Sequence, residues 1–360
     1  VPAGADTDTD TGPPAPGAVA GATRKAAPAA FADAAAERAP SAAAKRRGPL
    51  ANRRAVASIV VVLLAALAAA GFLLGNSSTS AGGSSLANTA VAGHLQLGYP
   101  SSWRPTSAAP SIAGMTFSGP VQLAAAAPGS GATAGEVPSA AGPTLLPAPF
   151  RRRLEGGLPP GEPVRLGTLQ ALRFSGLRER GSPMALTVYA VPSSAGVATL
   201  LCWSSGSATG VFLADCGRVA ATLGLVGARA YPLAPSDNYA HAVARSLAHL
   251  STAVAAPAAQ LKAAGSAVAQ ATAAEQLGAA YASAERELIV LDVSPREREA
   301  HQAIVSGLAT LARGYAVASA AARSGNAAAY SQARAAIGAG SSSLGAGLHE
   351  LGTLGYTVAR

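Results

Sequence analysis

Cys202 and Cys216 are the only cysteines in the chain. Their spacing is not the C-x-x-C arrangement that activates a redox thiol, and no partner base lies nearby in sequence. An even pair in an oxidising compartment forms a disulfide by default. The other side chains suited to chemistry are His241, His301 and His349 with Glu285 and Glu287. Imidazole and carboxylate together suit zinc or iron. In an up-and-down bundle, the starts of the first and third helices share an end with the finishes of the second and fourth. That topology would gather these five residues, although no metal motif sets their spacing. No G-x-S-x-G elbow, H-E-x-x-H helix or phosphate loop occurs, so neither catalysis nor a cofactor is expected. Asp215 and Asp292 stand alone and read as helix-capping acids. The serines of GSSSLGAG have nothing beside them to activate a hydroxyl.

These residues need elements to position them, and the segment that orders the chain is AVASIVVVLLAALAAAGFLLG, Ala55 to Gly75, with no charged residue. A helix of that length reaches about 30 Å, the thickness of a bilayer's hydrocarbon core. Lys45, Arg46, Arg47, Arg53 and Arg54 crowd its amino side, and the next basic residue after it is Arg104. The positive-inside rule then keeps residues 1–54 in the cytoplasm and exports everything after Gly75. The length of the apolar run and the long segment before it favour an uncleaved anchor over a cleaved signal peptide.

Composition narrows the function classes. The 360-residue chain is 49% hydrophobic, much of it alanine, with only 4% aromatic residues. Its net charge of +9 divides into +3 in residues 1–54 (eight basic, five acidic) and +6 in the exported part (nineteen basic, thirteen acidic). No dense basic face with interleaved aromatics appears, so nucleic acid is not an expected partner. Residues 1–54 have too little branched or aromatic surface to offset the entropy of ordering them, which predicts a disordered tail. NSSTSAGGSSLANTA, within residues 76–90, is a flexible spacer.

Residues 91–235 carry strand signals between turn residues. HLQLGYP alternates at Leu95, Leu97 and Tyr99 and closes on Pro100. Further strands are expected at Met115 to Phe117, Val121 to Ala125, Val164 to Phe174, Met184 to Val191, Val197 to Trp203 and Ala228 to Leu233. APGSGATAGEVPSAAGP reads as an interruption. Phe212, Cys216, Val219 and Leu223 mark a short helix, to Leu225. Residues 236–356 switch to helical period. A first helix opens at Ser236 and ends before Pro257. A second carries Leu261 to Leu291. A third is capped by Ser294, with Pro295 in the first turn and Glu297 in the capping-box position, and a fourth follows the turn at Gly325 and Asn326. The expected fold class is therefore α+β: a small antiparallel sheet with one short helix, then an antiparallel four-helix bundle, behind one transmembrane helix.

The run GYPSSW resembles the opening strand of small PsbP-like extracytoplasmic domains, with Tyr99, Pro100 and Trp103 matching. With LQALRFSGL, VYAVPSSAGVATLLCW and LDVSPREREAH, the arrangement is similar to that of actinobacterial single-pass membrane proteins carrying such a domain and an alanine-rich helical tail. The resemblance implies a fold and a location, and brings no catalytic residue with it. Tyr99 and Trp103 become a packing pair or a ligand platform. The expected function is a membrane-anchored extracytoplasmic binding or interaction module, whose partner is an envelope protein or small ligand. A sensory role belongs to the same reading; the alternatives are a non-catalytic structural protein of the envelope and, after it, an extracytoplasmic enzyme.

Overall fold

The computed structural model describes residues 86–205 and 209–357. The expected cytoplasmic tail, the span at 55–75 and most of the spacer lie outside the described residues.

Ten strands and two short helices come first. A three-stranded sheet joins β1 (Asn88–Ala92), β2 (Leu95–Tyr99) and β10 (Gly224–Leu225) in the order β1-β2-β10. A seven-stranded antiparallel sheet has the order β3-β4-β5-β9-β8-β7-β6. Its members are β3 (Arg104–Pro105), β4 (Ser118–Ala124), β5 (Ser130–Val137), β6 (Glu162–Leu166), β7 (Leu169–Arg178), β8 (Ala185–Ser193) and β9 (Gly196–Ser204). Helix α1 (Ala148–Arg153) precedes β6, and α2 (Thr209–Ala220) precedes β10.

The central strands of the larger sheet are buried on both faces. Ala198, Leu200 and Cys202 of β9 point into one core with Leu95, Leu97, Trp103, Phe212 and Val219. The alternate residues Val197, Leu201 and Trp203 point into a second core with Leu145, Leu146, Phe150 and Phe174. The period of two along a strand makes one segment serve both layers, which is why β9 is buried at every residue. Cys202 in β9 is bonded to Cys216 in α2, so the disulfide fastens the helix to the sheet's central strand.

The sheet region departs from expectation in five places. Ser130–Val137, read as an interruption, is the strand β5 that pairs with β9 along its whole length. Its small residues are a packing requirement: a Cβ at Gly131 would lie 2.3 Å from the Leu123 carbonyl oxygen and 2.5 Å from the Trp203 ring. Val164 to Phe174 is a hairpin, because Gly167, at a φ of 60°, turns the chain between the paired Leu166 and Leu169. Met115 to Phe117 is irregular, and β4 begins after it. Ala228 to Leu233 makes only an isolated bridge, Ser193 to Ala230, and α2 ends at Ala220 so that Gly224–Leu225 can join β2.

Four long helices follow: α3 (Asp237–Ala263), α4 (Ala267–Ile289), α5 (Arg298–Ser324) and α6 (Ala327–Thr353). Ser236, Ser266 and Asn326 cap α3, α4 and α6 by accepting backbone N–H bonds from Tyr239, Ala269 and Ala329. Contacts between His249 and Glu287, Glu275 and Arg323, and Gly347 and Ala300 run in opposite chain directions, so neighbouring helices are antiparallel. Two helix boundaries differ from expectation. Pro257 lies inside α3, and the break falls at Ala264, Gly265 and Ser266. Residues 294–297 form a turn in which Ser294 accepts from the Arg296 N–H, and Glu297 is the residue before α5.

Among the described residues one helix, α5, is long and apolar enough to cross a membrane by length and composition. Its apolar residues have protein partners: Ile304 and Leu308 share a core with Val243, Leu288 and Leu351, and Ala318 packs with Ala274 and Ala333. Those contacts account for its composition as the central helix of the bundle. Glycines let α6 approach it. A Cβ on Gly347 would lie 2.7 Å from the Ala300 carbonyl oxygen, and one on Gly307 would lie 2.7 Å from the Leu344 nitrogen.

Two outcomes follow from this packing. Gly347→Ala should lower the unfolding free energy by about 1–3 kcal/mol through overpacking. Gly345→Ala, where a Cβ meets nothing within 4 Å, should raise it by up to about 1 kcal/mol through helix propensity; chemical denaturation of both variants reads the contrast. The cysteine separation of 14 gives a disulfide contribution of about 3 kcal/mol in the chain-entropy model. The double replacement Cys202→Ala, Cys216→Ala should lose about that amount in the same measurement.

Candidate functional site

The strongest convergence of polar groups lies where the sheet region meets the bundle, built by a strap at residues 226–236. Val226 donates to the His94 carbonyl, and Tyr231 donates to the Pro192 carbonyl at 2.9 Å. The Leu233 N–H donates to the Gln170 side chain, and its own side chain enters the second core. Ser236 then starts α3, with its N–H donating to the Tyr356 hydroxyl at 2.9 Å. A second link joins the Gly142 N–H to the Pro295 carbonyl at 2.9 Å.

On the bundle side, Tyr239, Glu297, His301 and Tyr356 form one network. The Tyr356 hydroxyl donates to Glu297 Oε1 at 3.1 Å, and Tyr239 and His301 share a 3.1 Å hydrogen bond through the His301 Nδ1. The Tyr239 ring meets Tyr356 and His301 edge-on, with centroids 5.5 and 5.8 Å away. Burial pushes the Tyr239 and Tyr356 phenols well above their usual range, and the Glu297 carboxylate adds to both shifts. Both hydroxyls therefore stay protonated, and that of Tyr356 donates to Glu297. His301, 8% exposed, is pushed down by burial and is neutral at pH 7.

On the strap side, Arg229 pairs with Asp292, to which the Tyr231 hydroxyl also donates. The Arg229 guanidinium carbon sits 5.1 Å from the Tyr231 ring centroid. The Tyr231 hydrogen bond and the Arg229 contact hold the Asp292 carboxyl below its usual range. Between strap and bundle lies an open cleft of about 460 Å³, walled by Arg229, Tyr231, Asn238, Tyr239, Ala242 and Asp292. An inner recess of about 40 Å³ shares the walls Tyr231, Ser236, Tyr239 and Asp292, and is completed by Ser294, Glu297 and Tyr356.

The residues singled out from sequence divide among these places. His301 belongs to the network, but His241 and His349 are exposed, and Glu287 lies 3.8 Å from His249. Glu285, half-buried on α4, joins none of them. Among the described residues no three His, Cys, Asp or Glu side chains gather, so the five candidate residues are not brought together at one metal site. The helix-end topology was right, yet residues at one end of a bundle still point to different sides of it. Tyr99 and Trp103 are both buried, and Trp103 stacks on Phe212 at 5.6 Å, so both serve as core. Asp292 caps nothing and instead ties the strap down. Sequence reading missed Arg229, Tyr231, Tyr239 and Tyr356. Scarcity was their available signal: in a chain with eight tyrosines, three flank the start of α3 and the end of α6.

No protein-family model, curated protein or solved structure matches the chain. The site therefore rests on its geometry.

Titration of His301 gives a checkable outcome. Its folded value lies below the ordinary 6.5 because burial disfavours the imidazolium. The unfolded chain binds that proton more readily, so stability is full above the ordinary value and declines as pH falls below it. Denaturation across this range should show the decline, and His301→Gln should flatten it.

Proposed function

We propose that the chain is a membrane-anchored extracytoplasmic binding module of the cell envelope, and that its ligand or partner engages the cleft between strap and bundle. The observation that carries the reading is the cleft itself. It is large enough for a small ligand or a partner's side chains, at about 460 Å³, and its walls combine tyrosine rings with an ion pair and an amide. Mixed apolar bodies and fixed polar groups are the usual make-up of a binding site.

The charge-free segment Ala55 to Gly75 and the basic residues before it support this compartment. An intact Cys202–Cys216 disulfide suits an oxidising side of the membrane. The likeness of GYPSSW to PsbP-like domains supports the same placement. Tyr99 and Trp103 then act as the packing pair that such a domain needs.

The test is capture from envelope extracts by the full chain in detergent, compared with Ala242→Trp, which fills the cleft from α3. One stoichiometric partner or ligand, identified by mass spectrometry and lost with the tryptophan, is the expected result. Capture that ignores the substitution would move the function away from the cleft, and turnover of a substrate would replace the binding reading with an enzyme.

A further inference from the structure

Glu297 is 3% exposed, and its side chain accepts from the Tyr356 hydroxyl. Among the described residues no basic side chain forms an ion pair with it. Of the titratable side chains buried around it, His301 is neutral and bonded to Tyr239, and the Tyr239 and Tyr356 phenols stay protonated. Arg296, its chain neighbour, lines a groove with Pro143, Pro159 and Pro160, and its charge reaches the Tyr356 phenol without forming an ion pair with Glu297. A carboxylate taken out of water without a cation is costly, and a small polar recess beside it is where a cation would relieve that cost.

The recess has the size and walls for one. At about 40 Å³ it exceeds the space of a single water, so it admits an ammonium group of similar size. Tyr231, Tyr239 and Tyr356 surround it, and tyrosine rings attract cations through their negative faces. A cation already uses this wall, because Arg229 lies over Tyr231 while paired to Asp292. Two carboxylates, Glu297 and Asp292, exclude an anionic head group.

Resting on the binding reading above, we infer that the inner recess holds a primary alkylammonium, while the body of the ligand occupies the outer cleft beside Asn238 and Ala242. Glu297 is the counter-charge, the Tyr356 hydroxyl holds that carboxylate in place, and Asp292 and Tyr231 form the entrance. The shared chemistry is an ammonium on an extended chain, whether free or attached to a peptide.

Calorimetric titration of the full chain in detergent tests this, with 1,5-diaminopentane as the free amine, acetyl-Ala-Lys-Ala-amide as the attached one, and pentane-1,5-diol as the neutral match. At least one amine should bind saturably while the diol does not, and which amine binds more tightly identifies the source. Glu297→Gln keeps an acceptor for Tyr356 and should weaken binding about tenfold or more, as expected for loss of a charge-assisted contact. Tyr231→Leu, on the half-buried strap, should weaken binding as well and serves if the Glu297 variant does not fold. Glu162→Gln, on an edge strand, should leave binding unchanged.

Equal binding of diol and diamine would overturn the ammonium assignment, as would displacement of the diamine by potassium chloride at equal concentration. Absence of amine binding while the envelope capture still depends on Ala242 would overturn the ammonium assignment and leave the binding reading standing. Loss of both would end both.

Discussion

Much of the molecule depends on how closely α5 and α6 approach. Gly307, Gly314, Gly340 and Gly347 lie where a Cβ would fall within 3.0 Å of the facing helix. The two pairs are each separated by seven residues, two helical turns, so they keep to one side of each helix. Gly347 meets Ala300 and Ile304, which bracket His301. Nine residues beyond that contact, past the end of α6, the chain brings Tyr356 to Glu297. A wider spacing would leave the Tyr356 hydroxyl short of the carboxylate and deprive Ser236 of its acceptor. The junction is thus built on helix contact some distance below it.

The sheet region works by a different constraint. β9 contributes alternate residues to two cores, and the helix α2, bonded through Cys216, covers one of them. The strap leaves this region by hydrogen bonds to Pro192 and Gln170 before Ser236 enters the bundle. The site's walls are therefore held from both sides by backbone bonds. Arg229 and Asp292, both exposed, contribute little stability as a pair. Their role is to set the shape of the entrance.

Helices were legible from sequence because their apolar residues recur at three and four, and because Ser236 and Asn326 are strong capping residues. The disulfide was legible because no alternative partner exists for either cysteine. β5 was not legible: its glycines and alanines carry the turn signature, and only the Trp203 ring across the sheet explains why they must be small. Pro257 misled for the converse reason, since a local breaker signal did not end α3, which runs on to Ala263. The cleft was invisible because it is assembled from residues 229–242, 291–297 and 356, and no local pattern reports that meeting. His301 was named, but its partners proved to be a tyrosine and solvent exclusion rather than two more histidines.

Pro257 has a consequence for how the bundle comes apart. Lacking an N–H, it leaves the Ala253 carbonyl without the usual helical donor. Beyond Leu250, α3 is mostly exposed, with Val254, Pro257 and Leu261 only half-buried, and the first residues of α4 are exposed too. Few apolar contacts hold this hairpin tip, whereas Tyr239, Val243 and Leu250 are buried at the other end. Amide protons past Pro257 can thus exchange through a local opening that costs far less than global unfolding, while those near Tyr239 exchange only when the bundle itself is lost. The helix behaves as two segments with different lifetimes, and the segment that frames the cleft is the long-lived one.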